Sequence, residues 1–213
     1  MSGRHTGRTG LGFRLVRALC VAVVFALTVT AVPAQQAGRI RGQIEQADGA
    51  TLSLKTRDGE TVSVKLADDV RVAALVKASL ADLKPDTFIG VAGVPLPDGS
   101  IGAYSIHIFL PAQRGVVPDR HGAWDGRPNS TMTNAYVGTV VRDKDGEAVT
   151  VKYKDGEKKV LISPETVIAA VAPGTKDELK PGTGIVIMAS ERNADGSVLA
   201  RSIYLGRDVA PAM

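Results

Sequence analysis

The chain has 213 residues, with 26 lysines and arginines against 22 aspartates and glutamates, and a single cysteine. Four of the arginines and none of the acids lie in the first 34 residues, so the remainder is balanced at 22 positive against 22 negative charges. That balance excludes the basic surface on which nucleic-acid binding depends, and it gives no net-charge attraction to a membrane surface.

The first 34 residues have the layout of a secretory signal peptide, with a basic lead-in and an apolar run from Ala18 to Val32. Val32-Pro33-Ala34 supplies small residues for cleavage. A membrane anchor is the alternative, but a run of 15 residues is shorter than the ~20 that a spanning helix needs. We expect a periplasmic or secreted protein with no integral membrane segment after cleavage. Because Cys20 is lost with the signal, we expect no disulfide.

The rest of the chain is a repeat, whose copies cover residues 38–109 and 135–206. Turn and cap residues recur in the same order in both copies. The matching landmarks are Gly42 and Gly138, Asp48-Gly49 and Asp145-Gly146, Asp58-Gly59 and Asp155-Gly156, Leu83-Lys84-Pro85 and Leu179-Lys180-Pro181, and Asp98-Gly99-Ser100 and Asp195-Gly196-Ser197. Asp-Gly pairs between short alternating apolar runs are typical of β-hairpins. The pattern indicates a duplicated β-domain.

Each copy predicts three strands, a short helix and two further strands. The strands of the first copy are residues 39–45, 51–56, 61–66, 88–94 and 101–109, with a helical turn at 79–83. Those of the second copy are residues 136–141, 148–153, 158–162, 184–191 and 198–205, with a helical turn at 175–179. Ser79 and Thr175 are the expected helix caps, and Pro85 and Pro181 end the helices because proline cannot continue a helix interior.

This order of elements matches a five-stranded Greek-key barrel of the oligonucleotide/oligosaccharide-binding (OB) type. We therefore expect an all-β fold of two tandem five-stranded OB-like Greek-key barrels, each with one short helix between strands 3 and 4. An open sheet with the same connections is the alternative. The expected domains are a signal peptide (1–34), a first barrel (38–110), a linker (111–134), a second barrel (135–207) and a C-terminal tail (208–213).

The linker contains three prolines and the only tryptophan, Trp124. A connection of about 25 residues is uncommon in a compact protein. One interpretation is an extended tether whose Trp124 packs against one barrel. The other is an ordered arm that fixes the barrels relative to each other and lines a groove.

The segment from Ala123 to Ala135 resembles one found in uncharacterised exported bacterial proteins that carry tandem small β-barrel, OB-like domains of unknown function. The resemblance continues in the turn from Tyr153 to Lys158 and in Gly206-Arg207-Asp208 with its Pro-Ala-Met tail. It covers the linker and the second repeat well and the first repeat more loosely. It implies export and a small-barrel fold, and it adds little about activity.

Candidate site residues concentrate in the linker. For binding we single out Trp124, Arg120 and Arg127 in the linker and Tyr136 at the start of the second barrel. For a metal the candidates are His121, Asp119 and Asp125, because imidazole and carboxylate groups ligate zinc and similar ions. A real metal site needs three or four convergent ligands, and the spacing here is irregular.

No catalytic residue stands out. His107 occupies the position that Tyr204 takes in the other repeat, which argues against a shared catalytic role, and it is interpreted as a partly exposed strand residue. The repeated carboxylates precede glycines, as expected of turns. We therefore expect a non-enzymatic binding or adaptor protein of the bacterial envelope without a cofactor, whose partner is an envelope protein, a peptide or a small ligand and not nucleic acid. A periplasmic metal-handling protein is the alternative.

Overall fold

Alternating apolar and polar residues produce long strands in this protein. Between Thr51 and Thr56, Leu52 and Leu54 are buried whereas Lys55 is exposed, because successive side chains of a strand point to opposite faces. A computed structural model describes residues 36–143, 146–193 and 195–211. Within these ranges the protein is all-β, and no helical segment reaches seven residues. The predicted signal peptide lies outside the described residues.

The described residues contain twelve strands. These are β1 (Gln36–Ala37), β2 (Ile40–Asp48), β3 (Thr51–Thr56), β4 (Thr61–Lys77), β5 (Phe88–Pro95), β6 (Ile101–Ile108), β7 (Arg120–Trp124), β8 (Ser130–Asp143), β9 (Gly146–Tyr153), β10 (Gly156–Pro173), β11 (Gly184–Arg192) and β12 (Val198–Gly206). Single turns of 3-10 helix cover Leu80–Asp82, Pro111–Gln113 and Lys176–Glu178. No helix among the described residues is long and apolar enough to cross a membrane.

Five strands close into a barrel, which we call the first barrel. Its hydrogen-bonded order is β2, β3, β4, β12, β11 and back to β2. All pairs are antiparallel except β4 with β12, which is parallel. The interior is apolar and includes Ile44, Leu54, Val64, Ile185 and Ile203, each 1% exposed or less. Burial of such side chains stabilises the fold by about 1.5–3 kcal/mol each.

Five of the remaining strands also pair in a closed order, which we call the second cycle. It runs β8, β9, β10, β6, β5 and back to β8, with a parallel pair between β6 and β10. A separate apolar core lies on these strands and includes Ile89, Val91, Ile106, Val137 and Val151.

The two repeats exchange their last two strands. The first barrel takes β2, β3 and β4 from the first repeat but β11 and β12 from the second, and the second cycle has the reverse composition. The sequence repeat predicts that each copy completes its own barrel, and the observed pairing differs from that prediction. Alternation shows which face of a strand is buried, but it does not identify the neighbouring strand.

Strands β4 and β10 join the first barrel to the second cycle. Residues 73–77 of β4 pair antiparallel with residues 169–173 of β10. The C-terminal part of each long strand therefore pairs with the other long strand. Leu75, Ala169 and Val171 form a small third core at this junction. All twelve strands therefore belong to one continuous sheet.

The two predicted helices are single 3-10 turns. The backbone N–H of Ser79 donates to Asp82 Oδ2 at 2.8 Å, and the N–H of Thr175 donates to Glu178 Oε2 at 2.9 Å. The expected caps thus bond the carboxylates three residues later, although each segment ends after one turn.

The predicted linker is ordered. Its residues 120–124 form β7, which pairs antiparallel with residues 130–134 of β8. Because β8 begins at Ser130, the boundary expected at residue 134 lies inside a strand. On its other side β8 pairs with β5, so the hairpin of β7 and β8 is an extension of the second cycle. This order agrees with the arm interpretation, whereas a groove lined by the arm stays a prediction.

The first strands of the two repeats are also shifted relative to the sequence alignment. Ile44 pairs with Leu54, and Val137 pairs with Val151, the repeat counterpart of Leu54. Val137 therefore takes the place of Ile44, and the alignment through Gly42 is displaced by three positions. The cause is a longer hairpin between β8 and β9, which adds paired residues at its tip.

Candidate binding site at the tip of the β7–β8 hairpin

The hairpin of β7 and β8 ends in a tight tip at residues 125–129. Asn129 adopts a φ of 56°, a left-handed conformation that asparagine tolerates better than most residues. Buried Ser130 closes the tip, because its Oγ donates to Arg127 O at 2.7 Å and accepts from Arg127 N at 3.2 Å. These bonds fix the backbone that presents Trp124 and Asp125.

Trp124 packs against two arginines of the first barrel. Arg39 precedes β2 and Arg41 lies within it, and at alternate positions of an extended chain both side chains emerge on one face. The guanidinium carbons of Arg39 and Arg41 lie 4.2 and 5.4 Å from the centroid of the Trp124 ring. Both distances are within the range of cation–π attraction. The hairpin of the second cycle is thereby held against the first barrel.

Asp125 completes the contact with the same arginines. Its Oδ1 accepts from Arg41 Nη2 at 2.6 Å, and its Oδ2 accepts from Arg39 Nη1 at 3.3 Å. Burial of this carboxyl opposes its ionisation. The hydrogen bond from Arg41 and the charges of Arg41 and Arg39 outweigh that effect and hold the pKa of Asp125 below its usual value.

Gly126 allows the tip to pack closely. A Cβ at this position would lie within contact of Trp124 Nε1 and 2.9 Å from the Tyr104 hydroxyl. The Gly126 carbonyl accepts from Arg57 Nη1 at 3.1 Å. The guanidinium of Arg127 lies 4.0 Å from the Tyr104 ring centroid. The tip therefore meets side chains from both sets of strands, since Arg57 follows β3 and Tyr104 belongs to β6.

The site carries more positive than negative charge. The guanidinium groups of Arg39 and Arg41 contact the carboxylate of Asp125. Two further guanidinium groups contact the same hairpin tip, that of Arg57 at Gly126 O and that of Arg127 at the Tyr104 ring. Within the described ranges, the Nε atoms of Arg39 and Arg41 are buried and have no hydrogen-bond partner. Such an arrangement is suited to binding an anion, since arginine presents several donors in a planar fork.

The arginine pair occurs only once in the duplicated fold. Strand β11 pairs Val186 with Arg41, and the equivalent residue of β5, Gly90, pairs with Asn134. By the same register Met132 takes the place of Arg39. Symmetry therefore supplies no second copy of this arrangement.

The structure brings together only some of the binding candidates from the sequence. Trp124 and Arg127 lie at the tip. Arg120 lies at the other end of β7, opposite Asn134. Tyr136 packs against Phe88, with ring centroids 4.9 Å apart. Arg39, Arg41 and Arg57 could not be identified from the sequence, because nothing in their immediate neighbourhood links them to Trp124.

The three metal candidates point to separate partners. Asp119 Oδ1 accepts from Lys154 N at 3.2 Å, and Asp125 faces the arginines. His121 Nδ1 lies 2.8 Å from Thr133 Oγ1, and burial, followed by the charge of Lys158, lowers its pKa. The described part of the chain holds no group of three or more His, Cys, Asp or Glu residues placed to hold a metal ion.

His107 and Tyr204 occupy equivalent places in β6 and β12. His107 pairs with Ala169 and Tyr204 with Ala73. His107 is half-buried, its Nε2 lies 3.2 Å from Ser105 Oγ, and desolvation lowers its pKa to about 4. A neutral imidazole beside a buried hydroxyl is what packing requires here.

Comparison of the chain with protein-family models, with curated proteins and with solved structures gives no match. A function for this chain therefore has to be inferred from the site itself.

Proposed function

We propose that this chain is an exported, non-enzymatic binding or adaptor protein of the bacterial envelope, and that the tip of the β7–β8 hairpin is its binding surface. The observation that carries this proposal is the contact of Trp124 and Asp125 with Arg39 and Arg41. It places an aromatic ring and an excess of positive charge where the hairpin meets the first barrel. Aromatic residues and arginine are the side chains most enriched in binding surfaces.

Export follows in this proposal from the signal peptide expected in the first 34 residues. The finer fold assignment belongs to the same proposal: two OB-type barrels whose repeats exchange their last two strands. Barrels of this type commonly present one face and its adjoining loops to a ligand. The β7–β8 hairpin would extend such a face on the second cycle.

The chemistry of the tip supports binding and not catalysis. Its charged side chains are guanidinium groups, which do not lose their protons in proteins, and a carboxylate already held in ion pairs. Proton transfer at neutral pH would instead call for a group whose pKa lies near 7.

A photo-crosslinking experiment in the bacterium tests this proposal. A photoreactive amino acid replaces Pro128, which is exposed at the tip, and in a matched control it replaces the exposed Pro85. The loop of Pro85 bonds to Val137 of β8, about 23 Å along the strand from Ser130. We expect a crosslinked product in the envelope fraction from position 128 and not from position 85. Products that are absent at 128, or equal at both positions, would contradict the proposal.

A further inference from the structure

Arg39 and Arg41 use only part of their hydrogen-bonding capacity in their contact with Asp125. Arg41 contacts Asp125 through Nη2 alone, and Arg39 contacts it through Nη1 alone. The favoured arginine–carboxylate geometry uses two N–H groups of one guanidinium at once. Within the described residues, Nε of each arginine is buried without a hydrogen-bond partner. Buried donors in this state are costly, so the pair has capacity for an acceptor that reaches further than Asp125 does.

Of the three side chains in this ion-paired group, that of Asp125 is the most exposed and so the easiest to displace. Its side chain is 44% exposed, whereas that of Arg41 is 8% exposed. Its contact with Arg39 is 3.3 Å long, beyond the usual length of a charge-assisted bond. If the carboxylate swings out, the two guanidinium groups remain in place, because Trp124 packs against both.

We propose that Arg39 and Arg41 form a site for an oxyanion, the phosphate or carboxylate group of a small anionic ligand, and that this oxyanion displaces Asp125. The inference rests on the proposed binding function and adds the chemistry of the ligand. Asp125 is then an internal competitor that occupies the site in the free protein. Arg57, bonded to the neighbouring Gly126 carbonyl, adds positive potential and steers the anion to the tip.

Within the part of the chain that the structure describes, the duplicated fold carries this site once. Met132 and Asn134 take the places of the two arginines in the second cycle, and neither side chain carries a charge. Binding should therefore saturate at one oxyanion for each chain.

The test uses the fluorescence of Trp124, the only tryptophan of the chain. Inorganic phosphate and succinate are titrated separately into the purified protein, with ionic strength held constant by KCl. We expect a saturable one-to-one response to at least one of them, and the stronger response identifies the group as phosphate or carboxylate. Arg41→Gln should weaken binding about tenfold or more, because a charge-assisted bond is lost.

Asp125→Asn gives the sharpest result. Removing an internal competitor raises the fraction of the protein that can bind, so this variant should bind the anion about tenfold more tightly. If Asp125 served only to stabilise the fold, Asp125→Asn would not bind the anion more tightly than the unmodified protein. If Arg41→Gln does not fold, Arg39→Gln provides the same loss from a side chain that is 29% exposed.

Arg201→Gln is the matched control, since this arginine pairs with Glu191 and Asp69 on an exposed part of β12. It should bind like the unmodified protein. The inference is overturned if neither anion gives a saturable response up to about 10 mM, if Asp125→Asn binds no more tightly, or if Arg201→Gln weakens binding as much as Arg41→Gln. Crosslinking at position 128 without binding of either anion would leave the binding function standing and remove the oxyanion.

Discussion

The guanidinium carbon of Arg39 lies 4.2 Å from the centroid of the Trp124 ring. Arg39 directly precedes β2, the first strand of the first barrel. The contact therefore joins the first barrel to the β7–β8 hairpin of the second cycle. Because Trp124 is the only tryptophan, its emission reports directly on whether the hairpin tip packs against Arg39 and Arg41.

We predict that Gly126→Ala disrupts the packing of the hairpin tip and destabilises the protein. The added methyl group would crowd the Trp124 indole and the Tyr104 hydroxyl, and overpacking of this kind costs about 1–3 kcal/mol. Gly122→Ala in β7 is the matched control, because no atom lies within 4 Å of a Cβ at that position. Denaturant unfolding should show a loss of stability for Gly126→Ala alone. Equal losses for both variants would show that the tip is not closely packed.

The ion pairs of Asp125 should survive mild acid. The pKa of Asp125 is held below that of a free aspartate, so the contribution of the pairs is complete above about pH 4 and is lost as the pH falls through the folded-state value. We predict that Trp124 emission stays constant from neutral pH down to about pH 4 and changes below it. Asp125→Asn should lack this acid transition. A transition of the same size in that variant would assign it to another group.

Burial of His107 should make stability depend on pH in a higher range. Its pKa is about 4 in the folded protein and about 6.5 when unfolded, so the unfolded chain binds the extra proton between these values. Stability is then complete above about pH 6.5 and falls as the pH drops towards about 4, by at most about 3–4 kcal/mol. His107→Gln should flatten this slope in denaturant unfolding measured across the range. An unchanged slope would show that His107 is already hydrated.

The exchange of strands should hold a cut chain together. Val116 is 71% exposed, and a protease site introduced there separates β1–β6 from β7–β12. Each half contributes strands to both the first barrel and the second cycle, so we predict that the nicked protein elutes from gel filtration at the intact mass until denaturant is added. The uncut protein is the control. Two half-mass species in native buffer would indicate that each repeat closes on itself.

Several strands could be predicted from the sequence because they depend on local patterns. The predicted strands 61–66 and 158–162 were too short, since β4 and β10 continue to Lys77 and Pro173, and β7 lies in the predicted linker. Leu52 and Leu54 alternate with polar residues, and Gly59, with φ 83°, ends the following turn as its Asp-Gly pair indicates. The parallel pairing of β12 with β4 could not be predicted, since strands of suitable alternation can pair in several orders. This pairing is determined by the packing of both apolar cores together and not by the pattern of any one strand.

The site was accessible to sequence analysis in part. Trp124 and Arg127 stood out because the linker has no counterpart in the repeats. The ion pairs of Arg39 and Arg41 with Asp125 span 86 and 84 residues of sequence. They depend on how the strands pair, which the local sequence pattern does not determine.

The pairing of Val64 with Val198 has a consequence for biosynthesis. Strand β12 is synthesised after β4, so the first barrel cannot close until β12 is available to pair with β4. During synthesis and any passage through a translocation channel, the N-terminal half therefore keeps an open, apolar strand edge. Such edges aggregate readily, so a chaperone that shields β4 until the last strand emerges would raise the yield of folded protein.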